Sequence, residues 1–157
     1  IPLFPLMLVN ELELSDEIIS LGSAIFYLAM LASSLRLKSV VDRFGNRNVM
    51  LAGTFLYGSY PLLLALAADQ TLYLAASVSG GILWGLTNGS MVNRLMERVG
   101  TQDVPSGMAI HNLALSVGIL SDSIIGPLLG DNFGLRTALF ASAGLRVLAS
   151  LLLARWG

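Results

Sequence analysis

Long apolar stretches alternate with short polar ones along the whole chain. Runs free of Asp, Glu, Lys and Arg cover residues 18–35, 48–68 and 70–93. Two more runs, 104–130 and 137–154, are each interrupted by a single charge, Asp122 and Arg146. A membrane helix needs ~20 mostly apolar residues to cross a hydrocarbon core of about 30 Å. One such run would suit the buried helix of a soluble protein. The set predicts membrane helices near 18–38, 48–68, 70–96, 105–130 and 134–155, an all-α polytopic bundle. Residues 1–9 are too short to span, and Pro2 and Pro5 disfavour a regular helix start there. They read as the outer end of a sixth helix whose beginning belongs to a longer polypeptide. Asp69 alone, and Asp131-Asn132-Phe133-Gly134, link their spans so briefly that these must be antiparallel hairpins. Gly134 supplies a residue tolerant of φ > 0 at the second turn.

Charge adds an orientation. Arg36, Lys38, Arg43 and Arg47 fall in the 36–47 link, Arg94 and Arg98 in the 94–103 link, and Arg155 at the C-terminal end. If the spans alternate, these basic residues share one side, and the other side holds Glu11, Glu13, Asp16, Glu17, Asp69 and Asp131 with Arg136. Basic short loops stay cytoplasmic. The reading is an integral protein of a bacterial cytoplasmic (inner) membrane with its C-terminus inside.

Composition agrees and excludes other classes. Of 157 residues, 55% are hydrophobic and 12% charged, about half the usual charged share of roughly 25%. An ordinary soluble enzyme would lack the charge to coat its surface, and a disordered chain would lack the apolar content. A net charge of −1 with no basic block leaves no footprint for nucleic acid. The absence of cysteine removes thiol catalysis and Cys-ligated metal. No Ser-His-Asp set, phosphate loop or dinucleotide fingerprint is present, so the sequence assigns no catalytic residue and no cofactor.

Two segments carry a family resemblance. Lys38-Ser39-Val40-Val41-Asp42-Arg43-Phe44-Gly45-Asn46-Arg47 resembles the loop signature G-x-x-x-D-R-x-G-R-R/K of the major facilitator superfamily, with Asp42, Arg43, Gly45 and Arg47 matching. Lys38 replaces the first Gly and Asn46 an Arg. Asp122 to Asp131 is similar to that family's G-x-x-x-G-P-x-x-G-G pattern through Gly126, Pro127 and Gly130, with Asp122 and Asp131 in place of glycines. The span 70–93 lacks the Arg that the first half of the family usually carries early in its fourth helix. The resemblance therefore implies the C-terminal six-helix half over residues 1–157, from the end of helix seven through helix twelve, as does a chain that ends soon after its last span. It also implies alternating access, with a missing N-terminal half as partner. The 42–47 motif would brace the cytoplasmic gate; otherwise it is a solvated turn, with Asp42 positioned to pair with Arg36 or Arg47.

The candidate site residues follow from cost. A charge inside lipid costs roughly 2.5–3.5 kcal/mol on insertion scales, so Asp122 and Arg146 stand out. They line a substrate or proton site, or they form a structural ion pair, or Arg146 snorkels. His111 shares a helical stripe with Gly118 and Asp122 and is either a proton relay or a polar residue near a helix end. Trp84 and Asn88 are read as cavity-lining, with packing between helices as the alternative for Trp84. Asn93 caps a helix end or meets water. Ser77, Gly81, Gly85 and Gly89 recur every four positions, a small-residue stripe against which another helix packs closely. One His and one Asp imply no metal site. The function expected is part of a secondary active transporter for a small molecule, with protons a candidate coupling ion. The alternative is a non-transporting relative packed among other subunits of a membrane complex.

Overall fold

The computed structural model describes residues 3–100 and 102–156; Ile1, Pro2, Thr101 and Gly157 lie outside the described residues. Seven helices are present among the described residues: α1 (Leu3–Asn10), α2 (Asp16–Phe44), α3 (Asn46–Tyr57), α4 (Ser59–Leu66), α5 (Gln70–Arg98), α6 (Val104–Phe133) and α7 (Leu135–Trp156). The expected end of a preceding helix is described from Leu3. Its Pro5 sits in the first turn of α1, where the missing N–H would have no intrahelical acceptor.

Helix ends differ from the sequence reading in a consistent way. α2 runs on to Phe44 and α6 to Phe133, so Arg36, Lys38, Asp42 and Arg43, and likewise Asp131, are helical rather than in loops. Charge ends the membrane segment, but not the backbone hydrogen-bond ladder. The ladder stops at single glycines. Gly45 (φ 79°, ψ 147°) joins α2 to α3, and Gly134 (φ 86°, ψ 148°) joins α6 to α7. Each glycine N–H still closes its helix, on Val41 O at 2.7 Å and Gly130 O at 2.9 Å.

The span expected as one helix over 48–68 is broken at Gly58 into α3 and α4. Pro61 lacks the N–H that would reach back to the carbonyl of Tyr57, and the turn tightens so that Gly58 N–H bonds Phe55 O at 3.1 Å. Asp69 starts α5 by accepting from Leu72 N at 2.9 Å, an N-cap that shapes the α4–α5 hairpin.

Four stretches among the described residues are long and apolar enough to cross a membrane: α2, α3–α4 taken together, α6 and α7. α5 was expected as a fifth. Its 29 residues are ample length, ~43 Å, but it falls short on apolarity. The reason is its load of Gly, Ser, Thr and Asn, of which Ser77, Gly80, Gly81, Gly85, Thr87 and Ser90 are buried against neighbours. α5 is the hub of the bundle, packed on α2, α3 and α4. The core joins Leu3, Met7 and Leu8 of α1 to Tyr57, Tyr60, Leu64, Tyr73 and Leu139. Half of the Asn46–Leu66 stretch is buried, against 11% of the apolar stretches of α2 and α6. Those two helices and α7 turn Leu28, Leu35, Leu113, Leu120, Leu148 and Leu151 outward, an apolar exterior suited to lipid.

Polar contacts collect at two rims. At one, Arg136 at the start of α7 donates to Glu11 Oε2 at 2.8 Å and to Ala67 O at 3.4 Å. At the other, Arg47 donates to Ala154 O at 2.8 Å, placing a cation on the C-terminal end of α7. There Asn46 also donates to Glu97, Asn93 donates to Asn46 Oδ1 at 3.4 Å, and Arg94 meets Glu97 Oε2 at 3.1 Å. The long helices therefore alternate in direction between the rims.

Candidate functional site

The α6–α7 hairpin sets two charges at one level. Asp122 stands eleven residues before the end of α6, and Arg146 eleven after the start of α7. At 1.5 Å per residue each is ~16 Å from the rim, near the middle of a hydrocarbon core of about 30 Å. Both are half-buried, and both line a cavity of about 490 Å³ between α1, α5, α6 and α7. His111 lines the same cavity, as do Gly118 and Leu115. His111 is one full helical stripe away, eleven residues or ~16 Å along α6 from Asp122, so it marks the far end of the cavity. Gly118 leaves the wall open: a Cβ added there would meet nothing within 4 Å. Phe4, Met91, Ile119 and Leu145 supply apolar walls.

Arg146 is held from behind. Its guanidinium carbon lies 4.2 Å from the Tyr57 ring centroid. Tyr57 in turn stacks on Tyr60 at 6.0 Å and packs on Trp84 at 5.3 Å. A cation over an aromatic face gains about 0.5–2 kcal/mol, the larger figure where water is excluded. The ring thus supports the guanidinium ~16 Å along α7 from its first residue.

Two expected lining residues are not in the wall. Trp84 is behind Tyr57, packed between helices, and Asn88 is exposed on another face of α5. Neither is among the residues that line the cavity. Tyr57 was missed. An aromatic in an apolar run looks like any core residue, and nothing local ties it to an arginine 89 positions later. Ser142, one turn before Arg146 and also lining the cavity, had a legible signal in that spacing.

The other singled-out residues lie elsewhere. Asp42 and Arg43 are exposed on the last turn of α2, and Arg43 lies 5.3 Å over the Phe44 ring. Arg47 turns to α7 instead of to Asp42. Asn46, the departure from the motif, ties α3 to Glu97 on α5. Hydrogen bonds from Asn46 and then Arg94 hold the Glu97 carboxyl below the ordinary carboxylate range. Gly81, Gly85 and Gly89 face α2, where Phe26 O, Met30 O and Leu37 occupy the space of any Cβ. Gly126 and Gly130 lie against Leu3, with Leu135 also closing on Gly130, and half-buried Pro127 sits between them within α6. Among the described residues no three His, Cys, Asp or Glu gather where they could hold a metal ion.

Over residues 1–157 the chain matches the family described as the Major Facilitator Superfamily. No curated protein and no solved structure matches it. The chain belongs to the Major Facilitator Superfamily and is an integral membrane protein of the transporter class, not an enzyme.

Proposed function

We propose that the chain is the C-terminal six-helix half of a secondary active transporter that moves a small molecule by alternating access. The observation that carries this reading is the cavity that gathers Asp122, Arg146 and His111 between α1, α5, α6 and α7. Transporter sites lie near the bilayer midplane, and charges at that depth are costly enough to need a role. In this reading Asp122 and Arg146 bind the substrate, and Asp122 also takes and releases the coupling proton. The half assignment is supported by the departures at Lys38 and Asn46 and by the lack of an arginine in α5 before Arg94. The rim with Arg47, Arg94 and Arg155 is the cytoplasmic one, by the bias of basic residues toward that side.

The test is reconstitution of the protein in proteoliposomes, with uptake of labelled small solutes read under an imposed proton gradient. Gradient-driven uptake by the wild type, lost in Asp122→Asn while solute exchange persists, is the expected outcome. Equal uptake with and without the gradient would overturn proton coupling, and no uptake or exchange at all would overturn transport.

A further inference from the structure

We infer that the end of the cavity nearest the α5–α6 link is a site for a soft monovalent metal ion, Cu(I) or its mimic Ag(I), held by the thioethers of Met91 and Met108 and the imidazole of His111. The site is separate from Asp122 and Arg146 and does not depend on what they bind.

Two of these groups stand at matched height on adjacent helices. Met91 is seven residues before the end of α5 and His111 seven after the start of α6, with only residues 99–103 between the helices. At 1.5 Å per residue both are ~10 Å from the rim that carries Arg94. Both line the same cavity, Met91 from α5 and His111 from α6. Met108 precedes Leu115 by seven residues and Ile119 by eleven, so at 3.6 residues per turn it shares the face of α6 that those two give to the cavity. It is also three residues from His111, the spacing of helical neighbours. All three side chains are half-buried.

The donor set selects the ion. A thioether sulfur is soft and polarizable, with no charge and no proton to lose, and it favours Cu(I); imidazole accepts copper as well. Calcium and magnesium take about six or more oxygen ligands. The one carboxylate of the described wall, Asp122, is ~16 Å from His111 along α6. Zinc takes a tetrahedral set of thiolate, imidazole and carboxylate. The chain has no cysteine and a single histidine, so that set cannot be assembled. Two thioethers and one neutral imidazole suit a soft ion of single charge. The neighbouring wall, Ala114 and Leu115, adds apolar surface that keeps competing water ligands away.

The experiment is Cu(I) binding to the untagged protein in detergent under anaerobic conditions, in competition with the chelator bicinchoninate. One Cu(I) should bind per chain, Ag(I) should displace it one for one, and Zn(II) should not. X-ray absorption should show sulfur bound to the copper. Met91→Leu, Met108→Leu and His111→Ala should each weaken binding about tenfold or more, a loss that even a residue supporting a ligand can cause. Leucine nearly conserves the volume of methionine, so both leucine variants should melt like the wild type. Met96→Leu, at an exposed methionine of α5 outside the cavity wall, should leave the affinity unchanged. No Cu(I) binding overturns the inference, as does displacement by Zn(II). Unchanged affinity in any of the three ligand variants overturns it too, showing that the side chain only fills space. A loss in Met96→Leu equal to that in Met91→Leu would show general methionine binding and overturn the site.

Discussion

The guanidinium of Arg146 lies over the face of Tyr57, 4.2 Å from guanidinium carbon to ring centroid, and Tyr57 is 9% exposed. The contact crosses from α7 to α3 and holds a charge at the level of Asp122. Tyr57→Phe preserves the ring and should leave thermal stability in detergent within about 1 kcal/mol of wild type. Tyr57→Leu removes a cation–π contact and the packing on Tyr60 and Trp84, and should cost about 2–3 kcal/mol. A thermal-unfolding series on the two variants checks the order. Equal loss in both would show that the hydroxyl matters more than the ring.

The small-residue stripe of α5 should be graded. A Cβ at Gly81 would overlap the carbonyl of Phe26, and one at Gly85 would stand 2.7 Å from Met30 O besides overlapping Ser33 Oγ. Backbone cannot yield without separating the helices. Gly81→Ala and Gly85→Ala should each cost about 1–3 kcal/mol or more. Gly89→Ala meets only the flexible end of Leu37 and should cost less. Chemical or thermal denaturation of the three variants gives the ranking directly.

Gly45 and Gly134 make a different prediction. Nothing lies within 4 Å of a Cβ at either, yet both have φ near +80°, with ψ close to a region that essentially only glycine occupies. Alanine at either should destabilise through backbone strain alone, by about 1–3 kcal/mol. Gly118 and Gly144 are equally open but lie at helical φ, so Gly118→Ala and Gly144→Ala should be neutral or slightly stabilising. Melting temperatures of the four alanine variants separate strain from space.

Glu97 confers a pH dependence at one rim. Its carboxyl is held below the ordinary range by Asn46 and then Arg94. A depressed folded-state pKa contributes stability that is fully present above the unfolded carboxylate value and is lost as pH falls through the folded one. The α3–α5 contact should therefore weaken on acidification below the ordinary carboxylate range, and Asn46→Ala should flatten that part of the profile. Melting temperatures from pH 7 down to about 3, compared between wild type and Asn46→Ala, check it. Parallel curves would show that Glu97 does not use Asn46.

Much of the site was visible in the residue order for an energetic reason. A charge in the middle of an apolar run is expensive anywhere in lipid, so Asp122 and Arg146 announce themselves without any knowledge of neighbours. His111 followed from its stripe with Gly118 and Asp122. Trp84 and Asn88 shared a stripe too, but a stripe says which residues point together, not toward what. Tyr57 carried no mark at all, because its role depends on a helix far along the chain.

Membrane segments, their alternation and the family resemblance are properties of the residue order itself, since apolar length and charge placement act locally and add along the chain. Other features came from packing. The load of Gly and Ser that made α5 too polar for a lipid-facing helix is what lets α2 approach it, as at Gly81 against Phe26. The helix ends at Gly45 and Gly134 were set by backbone hydrogen bonds running past the charged residues, and the break at Gly58 by a proline three residues on. The cavity exists because α6 and α7 form one hairpin against α1 and α5, which brings Asp122 and Arg146 to one height and Tyr57 beneath the guanidinium. Contacts between helices join residues far apart in the chain, and hydropathy, which sums over neighbours in sequence, carries no information about them.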